Sequence, residues 1–357
     1  MNYSTSDRFQ GVWLGSIIGA ALSNNVDRPS CDKIRQFQSP CWIQTRDRIA
    51  QVIVKSPPIE SDIKQSTQIV AKYSLDNFKI NIQDETKNCN GNSDQKIILK
   101  NRLSNYYCNL ISILLSLIVI QEDNKNFQKL CKTIISQSNI PSSLTPEIEE
   151  EIATWNYLLT LALNNKFKLE EPNISMMVKQ VLGGVKVKAS SLVAKLEIVS
   201  QAWERGLSLQ QLAEKLYQQE YKLKLTASLV QPEVSFVLAM SFYCFISTPK
   251  NFMLSVKRAT KISSNLSVPI TVFTASLSGA YNGISGIPRN WKMAASHHQL
   301  YQQALTTSQR LFKTWLGVHN PDNLELLYDL ELHAVANPKI FQHRPNLKII
   351  SQKSSLS

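Results

Sequence analysis

Apolar residues recur every three to four positions along most of the chain, the period of a helix with one buried face. The pattern predicts helices over residues 8–23, 106–121, 126–138, 147–164, 173–181, 189–205, 208–219, 232–247, 250–262, 268–284, 294–316 and 322–335. Boundary chemistry supports several of them. Ser6 or Asp7 can cap the first, Gly206 stops a helix, and Ser208 with Gln211 forms a capping box for the next. Pro249 behind Thr248, and Pro269 behind Ser267 or Val268, suit a first helical position. Strand-like alternation is confined to Ile49–Val54. Residues 81–105, with Asn88–Asn92 at their centre, read as a polar loop or insertion, and the serine-rich segment 338–357 reads as a frayed tail. No repeat and no linker divides the rest. The expectation is one all-α domain over residues 1–337.

Two of these helices carry stripes of small residues. Gly11, Gly15 and Gly19 recur at four-residue spacing, as do Ala275, Gly279 and Gly283, so each set lies on one helix face. A glycine inside a helix costs about 1 kcal/mol relative to alanine. Close approach of two backbones would offset that cost, so the two helices are expected to cross at short range and join the chain's two ends.

Composition narrows the class. A chain of 357 residues that is 43% hydrophobic can bury a large core, and only 11 glycines disfavour a turn-dense sheet protein. The longest apolar runs, Asn109–Ile120 and Val234–Ile246, fall short of the roughly 20 residues a membrane span needs. Gly11–Leu22 superficially resembles a signal-peptide core, but Asp7 and a single Arg8 make a poor basic flank. Six cysteines, Cys31, Cys41, Cys89, Cys108, Cys131 and Cys244, show no C-x-x-C pair. A reduced cytoplasmic compartment with no membrane partner is expected. The net charge of +12 suits an anionic partner without naming one. Val185–Lys188 and Tyr221–Lys224 lack the dense basic and aromatic interleaving of nucleic-acid binders, so they read as solvated faces. His297 and His298 are adjacent and would diverge by about 100° on a helix, a poor metal site. His319, His333 and His343 stand alone, and no serine sits in a nucleophile-elbow context. Trp13, Trp155, Trp203, Trp291 and Trp315 fit helix packing.

The segment Arg8–Leu22 resembles the opening of the ADP-ribosylglycohydrolases, which reads R-x-x-G-x-x-x-G-x-x-x-G-D-x-x-G. Phe236–Pro249, the helix Phe252–Lys261, Leu277–Gly283 (ending G-A-Y-N-G) and Gly286–Trp291 (I-P-R-N-W) are similar to that family's last third in order and spacing. About a third of the chain is covered, and residues 24–105 barely match. The resemblance implies an all-α orthogonal bundle. It implies a family activity that uses two magnesium or manganese ions to release ADP-ribose from a modified side chain, held by an early Thr-Asp-Asp group and a late Asp-x-Asp-Thr group.

This chain departs at those positions. Ala20 stands where the family's G-D places aspartate, and the only early stand-in is Asp47, flanked by Arg46 and Arg48. The late group falls on Ser263–Val268, with Asn265 and Ser267 near the carboxylate positions. Between Glu233 and Asp322 there is no Asp or Glu, while Lys250, Lys257, Arg258, Lys261, Arg289, Lys292, Arg310 and Lys313 all lie there. Hard dications need several carboxylate oxygens, so no metal cofactor is expected. What can remain is anion recognition by Ser264, Asn265 and Ser267 ahead of the helix that Pro269 opens. The alternative is that these residues only cap the helix. The leading reading is a catalytically degenerate binding module for ADP-ribose or another phosphorylated small molecule. An active ADP-ribosyl hydrolase with ligands from residues 24–105, and a scaffold meeting protein partners, stay open beside it.

Overall fold

The computed structural model describes residues 4–23, 46–47, 50, 145–164, 167, 180–181, 183, 191–224, 234–262, 266–297 and 299–315. Among them the architecture is all-helical, with no strand. In chain order the helices are α1 (Thr5–Ser23), α2 (Thr145–Leu163), α3 (Ser191–Glu204), α4 (Leu209–Lys224), α5 (Val234–Ser247), α6 (Phe252–Ala259), α7 (Ser267–Asn282), α8 (Arg289–Ser296) and α9 (Gln299–Trp315). The expected helices at 106–121, 126–138 and 322–335, the loop at 81–105 and the tail lie outside the described residues. So does most of 173–181. Of the expected strand only Ala50 is described, and it is helical. Tyr221–Lys224 close α4.

Three helices are apolar all round and form the centre. In α1 every residue from Gly11 to Ser23 is buried, in α5 every residue from Val234 to Ile246, and α7 is buried along nearly its whole length. A helix without a polar face has no solvent-facing solution, so neighbours must cover it on every side. The amphipathic α4, α6, α8 and α9 supply cover from outside.

The α1–α7 pair is the axis of the fold. The helices run antiparallel, with Gly11 against Gly279, Gly15 against Ala275 and Gly19 against Thr271. A methyl group added at Gly11, Gly15 or Gly279 would meet backbone of the facing helix inside contact distance, and one at Gly19 would lie 2.8 Å from the Thr271 carbonyl oxygen. The sequence stripes therefore do face one another. Asp7 fastens the far end: its carbonyl accepts from Ile284 N–H (2.9 Å), and its Oδ1 accepts from Ser285 N–H (3.2 Å) and Oγ (2.9 Å).

Several boundaries differ from expectation for physical reasons. Ser4 takes the role given to Ser6 or Asp7, since its Oγ accepts the Asp7 N–H at 3.1 Å. Pro249 lies in the turn before α6, whose cap is Asn251, with its side chain accepting from Leu254 N–H. Pro269 is the third helical residue rather than the first, because α7 starts at Ser267. The single helix at 294–316 is two, parted at His297. Trp291, Ala294 and Ala295 form a stripe whose next member would be His298, so one continuous amphipathic helix fails there. By contrast the stop at Gly206 (φ 62°) is as expected, with Leu207 N–H to Ala202 O (2.9 Å) and Gly206 N–H to Trp203 O (3.0 Å). Ser208 and Gln211 exchange both bonds of the capping box.

Candidate functional site

One end of the bundle lies where α7 begins. α1 reaches it with Gly19, opposite Thr271. α2 runs in the same direction as α7: the carbonyl of Ala162, near its C-terminus, accepts from Arg8 Nη1 (2.6 Å), and Trp155 packs edge-on against Phe273 at 5.0 Å. Glu151, one turn before Trp155, is therefore set toward α7's first turn, and it is fully buried.

Of the residues singled out as a ligand pocket, only Ser267 is described, and Ser264 and Asn265 lie outside. Ser267 is 8% exposed and is itself helical, so it is not the cap. The cap position is Leu266, with no side-chain bond to the helix start. The Ser267 carbonyl accepts from Thr271 Oγ1 (2.7 Å), while Ser241 Oγ of α5 donates to Ile270 O (3.1 Å). The first-turn N–H groups of a helix have no partner within it.

The segment around Asp47 contributes what the sequence showed only dimly. Trp13, Ser16 and Ala20 share the face of α1 turned away from the glycine stripe. Arg46 and Asp47 pack on that face. Asp47 Oδ1 accepts from Trp13 Nε1 (3.1 Å), Arg46 Nε (3.1 Å) and Arg46 Nη2 (2.9 Å). Arg46 Nη1 also donates to Ser16 Oγ, and its guanidinium lies 4.4 Å from the centre of the Trp13 ring. Arg46 is completely buried and Asp47 nearly so. Thus one carboxylate oxygen is saturated by a guanidinium and an indole, while Oδ2 is buried with no hydrogen-bond partner among the described residues. Trp155 Nε1 and Asn156 Oδ1 on α2 are in the same state.

The positive charges of residues 234–321 do not form one cluster. Lys292 donates to the Ile284 carbonyl (3.1 Å), at the opposite end of α7, which is about 24 Å long at 1.5 Å per residue. Lys250 belongs to that end too, next to Pro249, whose carbonyl accepts from Asn282 Nδ2 (2.8 Å). Lys257 and Arg258 lie in the last turn of α6, and Lys261 follows it, on the segment that leads toward the start of α7. The eight charges read from sequence therefore do not make a single barrier, and of these last three Arg258 and Lys261 are exposed. Arg258 also acts on α5, where burial pushes the Cys244 thiol up to about 12 and the Arg258 charge opposes that rise. Cys244 is free and buried, a small apolar group in practice.

No known family profile matches the sequence. No curated protein matches it either. The architecture does have a counterpart among solved structures, described as an ADP-ribosylglycohydrolase-related protein complex, with a TM-score of 0.54 over 87% of this chain and 99% of the other, at 13% identity. The fold is that of the ADP-ribosylglycohydrolase-related proteins. The all-α bundle that the resemblance implied is thus matched in overall shape. Among the described residues no three His, Cys, Asp or Glu side chains gather where they could hold a metal ion, and no helix is long and apolar enough to cross a membrane. A dication does not fit the Asp47 arrangement: Arg46 brings a positive charge to 2.9 Å from Oδ1, and like charge at that range repels strongly where water is excluded.

Proposed function

We propose that this chain is a catalytically degenerate, metal-independent binding module for ADP-ribose or a related phosphorylated small molecule, seated where α7 begins. The supporting observation is the Arg46–Asp47–Trp13 arrangement on α1. In it a fixed guanidinium stands on the carboxylate that best matches the family's early ligand group. The orphaned Asp47 Oδ2 and Trp155 Nε1 support a ligand, since each buried atom left without a partner costs about 1–3 kcal/mol, which a bound hydroxyl or phosphate can offset. Phosphate recognition would fall to the first-turn N–H groups of α7 with Ser267, and to Ser264 and Asn265 ahead of it.

A second reading, an active ADP-ribosyl hydrolase, is favoured by the presence of two buried carboxylates, those of Glu151 and Asp47. Calorimetry separates the two. Titration with ADP-ribose in excess EDTA should give saturable binding, and manganese alone should give no heat. Manganese binding with release of ADP-ribose from modified arginine would establish the hydrolase instead. Absence of both would leave a scaffold for protein partners.

A further inference from the structure

The sequence contains two Asn-Gly pairs, Asn90–Gly91 and Asn282–Gly283. The dipeptide is chemically fragile, because a glycine nitrogen with no side chain beside it can attack the preceding asparagine amide. At the end of α7 the pair stands because the packing requires each member. Gly283 follows the helix at φ 66°, in the region that glycine enters freely. Its carbonyl carbon lies 2.7 Å from where a Cβ on Gly11 would stand. Asn282 is 3% exposed, and its Nδ2 donates to the carbonyls of Pro249 (2.8 Å) and Ser278 (3.0 Å) and to Ser278 Oγ (3.1 Å). One amide thus ties the turn before α6 to the end of α7. The attacking nitrogen is restrained as well, since Gly283 N–H donates to Gly279 O at 2.8 Å. Asp7 holds the two residues beyond it, through Ile284 N–H, Ser285 N–H and Ser285 Oγ.

We propose that Asn282–Gly283 is a deamidation site that the fold holds shut, and that modification there bars an opened chain from closing again. When this end opens, the Gly283 main-chain nitrogen gives its proton to solvent hydroxide and attacks Asn282 Cγ. The N–Cγ bond forms, the Cγ–Nδ2 bond breaks, and ammonia leaves with a proton from water, giving a five-membered cyclic imide. Water then adds to either imide carbonyl and breaks its bond to the ring nitrogen. Aspartate, or its β-linked isomer, replaces the asparagine. In the folded chain the first step is blocked, because the amide is directed at Pro249 and Ser278 and the attacking nitrogen is bonded within the helix end. After modification the same contacts turn hostile. A carboxylate accepts and cannot donate, so the Pro249 and Ser278 carbonyls would meet it oxygen to oxygen. Of these partners Ser278 Oγ alone could donate to it. A buried charge facing acceptors is costly, and the β-linked isomer also lengthens the backbone where Gly283 meets Gly11. The site therefore records opening of the α1–α7 seam and withdraws the opened chain from the folded population.

The site lies at the end of α7 away from the proposed ligand, so this inference and that reading fail separately. The full chain is held in mildly alkaline buffer, either folded or unfolded in urea. Peptides around Asn90 and Asn282 are weighed over time for the change from amide to acid. In urea the two pairs should react at similar rates, with Asn90 as the internal clock. In the folded chain Asn282 should react at least about 100-fold more slowly than in urea, since only the opened fraction is competent. Asp7→Ala releases Ser285 and should raise the folded-state rate about tenfold, the scale of one or two lost hydrogen bonds. Asp7→Asn keeps an acceptor there and should restore the slow rate. Asn282→Asp, made directly, should unfold at a clearly lower urea concentration than wild type or fail to fold. A folded-state rate at Asn282 within about threefold of its rate in urea would overturn the proposal. So would an unchanged rate in Asp7→Ala, or an Asn282→Asp chain with the wild-type urea midpoint.

Discussion

At the residue scale the decisive unit is Arg46 with Asp47. Each is buried, and each compensates the other's desolvation. Removing one partner of such a pair typically costs about 3–5 kcal/mol, because the remaining charge is stranded. Arg46→Met should therefore lower stability in urea by about 3 kcal/mol, and Arg46→Met with Asp47→Leu should regain much of that loss. A single variant within about 0.5 kcal/mol of wild type would mean that Asp47 is not stranded. Cys244 offers a pH test. With its thiol raised from 9.0 to about 12, the folded state binds more protons than the unfolded state between those limits. Stability must then fall as pH rises through that window. Cys244→Ala should flatten the decline measured by melting from pH 9 to 11, whereas an unchanged slope would assign it to other groups. Little of this was legible beforehand. Asp47 was visible as a lone acid between arginines, but a helix partner some 30 positions earlier leaves no trace in local periodicity.

At the element scale the glycine contact between α1 and α7 can be tested by contrast. Gly15→Leu, or even Gly279→Ala, drives a side chain into the facing backbone, which cannot yield as a side chain can. A loss of about 3 kcal/mol or more is expected, at the upper end for overpacking. Gly183, with no atom of the described residues within 4 Å of an added Cβ, should accept alanine with a change below about 1 kcal/mol. Equal effects at both positions would refute close packing. Here the sequence was informative: a four-residue glycine period is costly in a helix, so it pointed to a partner before any partner was known. The Gly206 stop and the Ser208–Gln211 box were legible because their bonds span only a few residues. The break at His297 and the true start of α7 were missed because apolar periodicity marks where a helix runs better than where it ends.

At the scale of the whole molecule, the bundle type was readable from G-A-Y-N-G and I-P-R-N-W together with the helical period, and the solved counterpart has the same architecture. The chemistry of the end where α7 begins was less readable. Net charge suggested one basic wall, yet the chain winds those charges to opposite ends of a helix about 24 Å long. ADP-ribose affinity should therefore depend only moderately on ionic strength. A drop of tenfold or less in affinity between 50 and 200 mM salt is expected, read by calorimetry at each concentration, since a few nearby cations release few counterions. A drop of a thousandfold would restore the single basic wall.

The bond between Asp7 and Ser285 spans 278 residues of sequence. A ribosome adding about 5–20 residues per second needs roughly a quarter of a minute to a minute to deliver the second partner after the first. Throughout that interval the opening helix is greasy on every side, with its mate not yet made. In a chain organised this way the contact between α1 and α7 can form only once the final third has emerged.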